Sequence, residues 1–195
     1  MTQESEPAGR GVKVGVVLPR PPDEPGEWLT DAVAFEAAGA DALWVEHGAA
    51  PSLDPLTLTA ALAAMTYRSL LAVAVPQTPA PQALATVQRL SRGRLALIVD
   101  AGSDEGRVGA GDEAGSDGVG TVVRLAGGGA YEEAGAGRWA PVAVPLGRPA
   151  WRETLRLAAE RGDQGVLVPA DPRLIDLLRN PDDPGGRHDL QLAQG

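Results

Sequence analysis

The chain has 195 residues, and its 26 acidic and 17 basic side chains give a net charge of −9 at neutral pH. This excess of acid repels a phosphate backbone and argues against a nucleic-acid partner, and the lack of cysteine excludes disulfides, thiolate metal sites and cysteine nucleophiles. The length allows one sizeable core, although a complete eight-stranded α/β barrel usually needs roughly 250 residues.

Short apolar runs alternate along the chain with segments of helical spacing. The predicted strands cover residues 12–19, 41–47, 69–76, 94–101, 139–146 and 164–170. The predicted helices cover residues 27–40, 53–66, 81–91, 150–162 and 171–180, with Asp54 and Asp171 as N-caps and Gly39 as a stop. Apolar strands separated by helices are typical of a parallel sheet covered on both faces. Such a series winds either into a doubly wound sheet or towards a barrel.

One long stretch, residues 102–137, departs from this pattern. It is rich in glycine, alanine and acidic residues, which bury little surface and are costly to order. Residues 121–126, with the sequence TVVRLA, are its one ordered-looking segment. We therefore predict that most of residues 103–137 is mobile, that residues 1–11 form a flexible tail, and that residues 12–195 form a single domain.

Three stretches carry recurrent sequence motifs. Residues 39–66 contain a strand that ends in Glu-His and a helix that ends in Ala-x-x-Thr, and residues 79–103 join a helix to a strand through Leu-Ser-x-Gly-Arg at 90–94. Residues 139–171 form a strand–helix–strand unit in which Gly-Asp precedes the second strand. In this order and spacing, the motifs resemble the luciferase-like monooxygenase family.

The resemblance covers most of residues 12–103 and 138–180. It implies a TIM-barrel-like (β/α)8 fold, here reduced or incomplete, because a glycine- and acid-rich insertion follows the fourth predicted strand where the family has an aromatic- and arginine-rich helix over the cofactor. It also implies a reduced flavin, either flavin mononucleotide (FMN) or the deazaflavin coenzyme F-420. The chain reaches the family's seventh strand, so it is either a reduced relative or a fragment.

Glu46 and His47 stand at the predicted end of the second strand, and catalytic groups in such barrels lie at strand ends. The resemblance implies that His47 takes part in the chemistry at the flavin, since an imidazole of near-neutral pKa transfers protons as a general acid or base. From the residues alone, His47 could equally cap the strand through hydrogen bonds to backbone.

Two further strand ends supply candidate cofactor-binding residues. The resemblance implies that Ala74 and Val75 border the ring system, although both also suit an ordinary strand core. Gly102 and Ser103 end the fourth predicted strand, where a glycine lets the backbone approach a ligand closely. The family's phosphate-binding arginine is replaced by Ala101, beside the acidic Asp100, which weakens the assignment of FMN in particular.

Other residues carry weaker signals. We expect the four tryptophans to fill the core, and they are Trp28, Trp44, Trp139 and Trp151. We interpret the acidic residues around His188 as a turn and predict no metal site. The polar, acidic first residues and the lack of an apolar run of about 18 residues favour a cytoplasmic protein that does not insert into membranes.

Two hypotheses for function follow. In the first, the chain is an enzyme, a luciferase-like monooxygenase or other oxidoreductase, which acts on a small-molecule substrate with His47 as the catalytic residue. In the second, it is a non-catalytic barrel that binds a flavin-like ligand passively or serves as a dimerising partner. Unpaired edges of an unfinished barrel favour self-association, so we predict a homodimer.

Overall fold

A computed structural model of the chain describes residues 11–46, 52–101, 118–125 and 129–180. These residues form eight strands: β1 (Lys13–Leu18), β2 (Ala42–Val45), β3 (Leu70–Ala74), β4 (Leu95–Asp100), β5 (Gly120–Arg124), β6 (Tyr131–Glu133), β7 (Gly137–Pro141) and β8 (Gly165–Pro169). They also form five helices: α1 (Gly26–Ala38), α2 (Pro55–Met65), α3 (Pro81–Ser91), α4 (Arg148–Glu160) and α5 (Pro172–Arg179). The five predicted helices and five of the six predicted strands are confirmed with small shifts at their ends, whereas the strand predicted over residues 139–146 is found at Gly137–Pro141.

The eight strands close into one barrel in chain order, with β8 paired to β1. All neighbouring strands are parallel except at β6, which runs antiparallel to both β5 and β7. Of the described residues between β4 and β7, none is helical. The α/β barrel is thus confirmed, but it is closed rather than incomplete, and the reversed strand breaks the predicted (β/α)8 repeat. Closure also removes the unpaired edges on which the prediction of a dimer was based.

Short connections explain the reversed strand. Residues 134–136 join β6 to β7, with the Ala136 amide donating to the Glu133 carbonyl at 3.0 Å. A connection this short can join only antiparallel neighbours, and Gly135 supplies the positive φ of 74° that the turn requires. Residues 118–125 and 129–137 are thus described, with β5, β6 and the start of β7 in the barrel wall, and the mobility of the stretch as a whole stays a prediction. The remainder of that stretch lies outside the described residues, as do residues 1–10.

Two apolar cores lie on opposite sides of the barrel wall, because successive strand residues point to opposite faces. Inside the barrel, the Trp44 ring packs against Trp139 with centroids 5.2 Å apart and meets Tyr131 edge-on at 5.6 Å. Small residues on β2, β3 and β4 leave room for these rings, and they are Ala42, Ala72 and Ala96. The outer core, between barrel and helices, contains Trp28 and Trp151. All four tryptophans are buried, which confirms the expectation for them.

Two glycines make space for the aromatic interior. A Cβ on Gly165 would lie 2.5 Å from the Trp139 ring, and a Cβ on Gly15 would lie 2.6 Å from Leu167. At Gly165 the near atoms belong to a rigid indole ring, so an added Cβ would force the ring to shift, whereas at Gly15 the nearest atom is the end of the flexible Leu167 side chain. The barrel interior is consequently filled rather than open along its axis.

The Leu-Ser-x-Gly-Arg motif has a structural role at the amino-terminal end of the barrel. Arg94 donates from Nη1 to the Ser69 carbonyl at 2.7 Å and from Nη2 to the Thr66 carbonyl at 2.8 Å. Glu36, which is buried, accepts the amides of Tyr67 and Ser69 at 2.7 and 2.8 Å. The two side chains together fix the connection from α2 to β3.

Candidate active site

The carboxyl ends of the parallel strands meet at one end of the barrel, which we call the C-terminal rim. Val45 pairs with Val73, so Glu46 and Ala74, the next residues along, are neighbours on β2 and β3. Asp100 pairs with Arg124, and Arg124 pairs with Tyr131, the first residue of the reversed strand. Alternation along the strands directs these side chains towards the barrel axis.

Four of these residues form a connected polar group, the rim cluster, made of Glu46, Asp100, Arg124 and Tyr131. The Tyr131 hydroxyl donates a short hydrogen bond to Glu46 Oε1. Arg124 Nη2 lies 3.4 Å from the same oxygen, and Nη1 lies 2.9 Å from Asp100 Oδ1. The guanidinium also lies over the Tyr131 ring, 5.7 Å from its centroid. One cation thus joins two carboxylates and a phenol from four strands.

The surroundings of Tyr131 keep it protonated. Burial, and after it the hydrogen bond to Glu46, raises the pKa of the phenol from 10.0 to about 12. Burial acts to lower the pKa of Arg124, but the hydrogen bond to Tyr131 and the negative charges of Glu46 and Asp100 outweigh it and raise that pKa overall. At neutral pH the rim therefore presents a hydroxyl donor, a guanidinium and two carboxylates.

The structure separates the predicted site residues into three groups. Glu46 and Ala74 lie at the rim, Ala74 against the interior core. Val75 packs instead against the outer core, on the helix side of the wall. His47, Gly102 and Ser103 lie outside the described residues. The structure thus brings Glu46 and Ala74 to the same rim, and the catalytic or cofactor-binding role of every predicted site residue stays a prediction.

Two rim residues were missed by sequence reasoning. Arg124 is the one charged residue in TVVRLA, and this was the available signal. Tyr131 gave no signal, because it lies 85 residues from its partner Glu46 and in a three-residue strand. Only the register of β5, β6 and β7 brings it to the rim.

The rim suits one part of a flavin better than another. Ala74 is small and half-buried, and the neighbouring carboxylate and phenol can meet the polar edge of a ring. A phosphate finds no corresponding partner in the rim cluster, which has two carboxylates for one guanidinium. Arg124 does lie beside Ala101, because the Ala101 amide donates to the Arg124 carbonyl at 3.0 Å. The Arg124 guanidinium, however, is already paired with Asp100. The described residues therefore fit the ring system and not the phosphate.

A closed barrel of mainly parallel strands, with polar groups gathered at their carboxyl ends, is the architecture of a barrel enzyme. The sequence model of the luciferase-like monooxygenases matches residues 10–115, more than half of the chain. The chain therefore belongs to this family, whose members use a reduced flavin or coenzyme F-420. None of the curated proteins matches it.

Two further findings concern partners. Within the described part of the chain, no helix is long and apolar enough to cross a membrane. In the same residues, no group of three or more carboxylates and imidazoles is placed to hold a metal ion. The acidic residues around His188 lie outside this part.

Proposed function

We propose that the chain is a luciferase-like oxidoreductase of the monooxygenase type, which binds reduced FMN or coenzyme F-420 at the C-terminal rim. The observation that carries this proposal is the contact between Glu46 and Tyr131 beside the small side chain of Ala74, in a chain of this family. When bound, the cofactor supplies the hydride or oxygen chemistry. The substrate is a small molecule that approaches the same rim.

The ring system is proposed to rest on the end of β3. Ala74 offers a flat apolar contact from its place in the interior core. Because the Val75 side chain packs on the other side of the wall, its contribution is proposed to come from backbone. Gly102 and Ser103 follow β4 and complete the proposed contact, since a glycine permits close approach of the backbone.

In this proposal, three side chains donate, accept or transfer protons at the rim. Tyr131, held protonated, donates a hydrogen bond, and Glu46 accepts one and orients the phenol. His47 directly follows Glu46 and acts as the general acid or base, since an imidazole exchanges protons near neutral pH. Of the three, His47 is the proposed catalytic residue, and Glu46 binds cofactor and positions Tyr131.

A comparison of two histidine variants tests the catalytic assignment. His47→Ala should lower turnover by about 100-fold while the dissociation constant of the cofactor stays within about threefold. His188→Ala, which removes the chain's other histidine, should leave both values unchanged and serves as the matched control. Equal turnover in His47→Ala and His188→Ala would remove His47 from the mechanism.

A second candidate is a non-catalytic barrel that binds a flavin-like ligand passively or acts as a dimerising partner. One observation favours it: the charged groups of the rim cluster already satisfy one another. The outcome that supports it is cofactor binding without turnover under any electron donor, or a stable dimer without cofactor binding. Sedimentation of the purified chain measures the proposed homodimer, and fractionation measures the proposed cytoplasmic location.

A further inference from the structure

A charged cavity lies at the opposite end of the barrel from the rim. We call it the basal pocket; its volume is about 300 Å³, and its lining includes Lys13, Asp41, Arg68, Arg94, Glu133 and Trp139. Lys13 begins β1 and pairs with Gly165 at the beginning of β8, while Glu133 ends the reversed strand. The pocket therefore opens at the amino-terminal ends of the parallel strands, and the aromatic interior separates it from the rim.

The two carboxylates of the basal pocket are already bonded to protein N–H groups. Glu133 Oε2 accepts from Trp139 Nε1 at 2.9 Å and from Gln164 Nε2 at 3.0 Å. Asp41 Oδ2 accepts the Val14 amide at 2.8 Å. Both carboxylates thus serve the barrel, and neither forms a salt bridge with a pocket cation in the described part of the chain.

The three cations of the pocket are less well compensated. Lys13 has no ion pair and no side-chain hydrogen bond to any described residue. Arg68 donates from Nη2 to the Glu36 carbonyl at 3.2 Å, which leaves its other donors available. Arg94 Nε is buried without an acceptor among the described residues. Three cations and two carboxylates line the pocket, and the Glu36 carboxylate, which accepts the Arg68 amide at 3.0 Å, lies behind this lining.

The pKa of Arg94 reflects the burial of its guanidinium at this end of the barrel. Burial lowers it most, the Glu36 carboxylate acts to raise it, and the positive charge of Arg92 lowers it further. An anion in the pocket would supply a counter-charge to this partly buried guanidinium. Ammonium and guanidinium groups are the side chains with which proteins bind phosphate and carboxylate oxygens.

We propose that the basal pocket is a second binding site, specific for a small oxyanion, in which Lys13 and Arg68 contact the oxygens of a phosphate or carboxylate group. Arg94 holds the α2–β3 connection and adds positive potential, and Trp139 forms an apolar wall. The site is independent of cofactor binding at the rim, because the filled interior lies between them.

The chain's single lysine makes this proposal testable at one residue. Acylation by an amine-reactive ester, followed by peptide mapping, reports the rate at Lys13 and, as an internal control, the rate at the α-amino group. With a dissociation constant of about 1 mM, about 10 mM inorganic phosphate should slow the Lys13 reaction about tenfold, against sodium chloride of equal ionic strength. The α-amino rate should not change.

Two variants and a second anion complete the experiment. Arg68→Gln should lose most of the protection, while Arg152→Gln, which removes an exposed cation on α4, should keep it. Acetate at the same concentration distinguishes a carboxylate from a phosphate as the preferred group, and protection by either supports the site. A calorimetric titration of folded Lys13→Gln should show the loss of phosphate binding. Unchanged acylation of Lys13 in both anions, or equal slowing of both amines, would overturn the proposal.

Discussion

The two ends of the barrel hold charged groups in opposite ways. At the C-terminal rim, Arg124 is shared by Glu46 and Asp100, and Tyr131 donates to Glu46, so every group has a partner. In the basal pocket, Lys13 has no partner among the described residues, and the carboxylates serve backbone and indole N–H groups. A rim whose charged groups are already paired suits a ligand that is mostly an uncharged ring. A basal pocket with an unpaired lysine suits an anion. The two proposed sites of this closed barrel therefore differ in their chemistry.

The largest expected effect comes from the side chain between the two ends. Trp139 is 1% exposed and packs between the Trp44 ring and the basal pocket. Trp139→Ala should lower the free energy of unfolding by about 3–5 kcal/mol, measured by denaturant titration, because it opens a large cavity. Leu146→Ala, at a side chain that is 87% exposed, is the control and should cost less than about 0.5 kcal/mol. A small effect at Trp139 would mean that the ends are not separated by a packed interior.

A variant of Glu36 tests whether the stability of the basal end depends on a buried carboxylate. Burial acts to raise its pKa, but hydrogen bonds from the amides of Ser69, Arg68 and Tyr67 together lower it from 4.5. Glu36→Gln should therefore cost about 2–3 kcal/mol of unfolding free energy at pH 7. Because the pKa of Glu36 is lower in the folded state, its carboxylate stabilises the protein above about pH 4.5, and this stabilisation is lost as the pH falls through the folded-state pKa. The variant has no such carboxylate, so it should lose less stability than the unchanged chain on acidification.

The exposed Glu27→Gln on the same helix is the matched control for Glu36→Gln. At neutral pH it should change the free energy of unfolding by less than about 0.5 kcal/mol. Parallel curves for Glu36→Gln and the unchanged chain would show that the Glu36 carboxylate does not carry this pH dependence.

Gly165 lies so close to Trp139 that the structure leaves no room for a side chain there. A Cβ at Gly165 would lie 2.5 Å from the ring, so Gly165→Ala should cost about 1–3 kcal/mol by overpacking. Gly26→Ala, where nothing lies within 4 Å of the new Cβ, should be neutral or slightly stabilising because it lies in a helix. Equal unfolding midpoints for the two variants would contradict the position of Trp139 against β8.

Tyr131→Phe sharpens the description of the rim. Loss of the hydroxyl that donates to Glu46 should cost about 1–2 kcal/mol of unfolding free energy at neutral pH. A phenol whose pKa is raised from 10.0 to about 12 loses its stabilising effect as the pH rises through that interval, so the gap between variant and unchanged chain should narrow there. Tyr67→Phe, at a residue that is 62% exposed, should show neither effect.

The smallest effect is expected at the exposed edge of the rim cluster. Asp100 is 70% exposed in its side chain and pairs with Arg124 at 2.9 Å, so Asp100→Asn should cost less than about 1 kcal/mol of stability. The variant also removes one negative charge beside Arg124. FMN, which carries a phosphate, should then bind about two- to fivefold more tightly in a fluorescence titration. Weaker binding would show that Asp100 itself contacts the cofactor.

Local signals account for the parts of the fold that the sequence predicts. Asp54 and Asp171 accept the amides of Thr57 and Arg173 at 2.7 and 2.9 Å as helix caps, and Gly39 ends α1 with a φ of 115°. These features depend on a few neighbouring residues, and so do the apolar runs of the six predicted strands.

Other parts depend on residues far apart in the chain. β6 has three residues and exists because Tyr131 pairs with Arg124 on one side and Trp139 on the other. The rim cluster needs the same register, since Glu46 alone identifies neither Tyr131 nor Arg124 as its partner. Glu46 was predictable because it ends a recognisable strand, whereas the register of a short reversed strand leaves no mark in the local sequence.

A paired fluorescence titration with FMN and coenzyme F-420 tests most directly whether the rim binds a flavin-type ring. We expect saturable binding of one of the two cofactors at tens of micromolar or below. Folded Ala74→Leu, which places a larger side chain at the rim, should abolish this binding, while Lys13→Gln at the far end should preserve it. Absence of binding by both cofactors, or equal binding to Ala74→Leu, would contradict the proposed site.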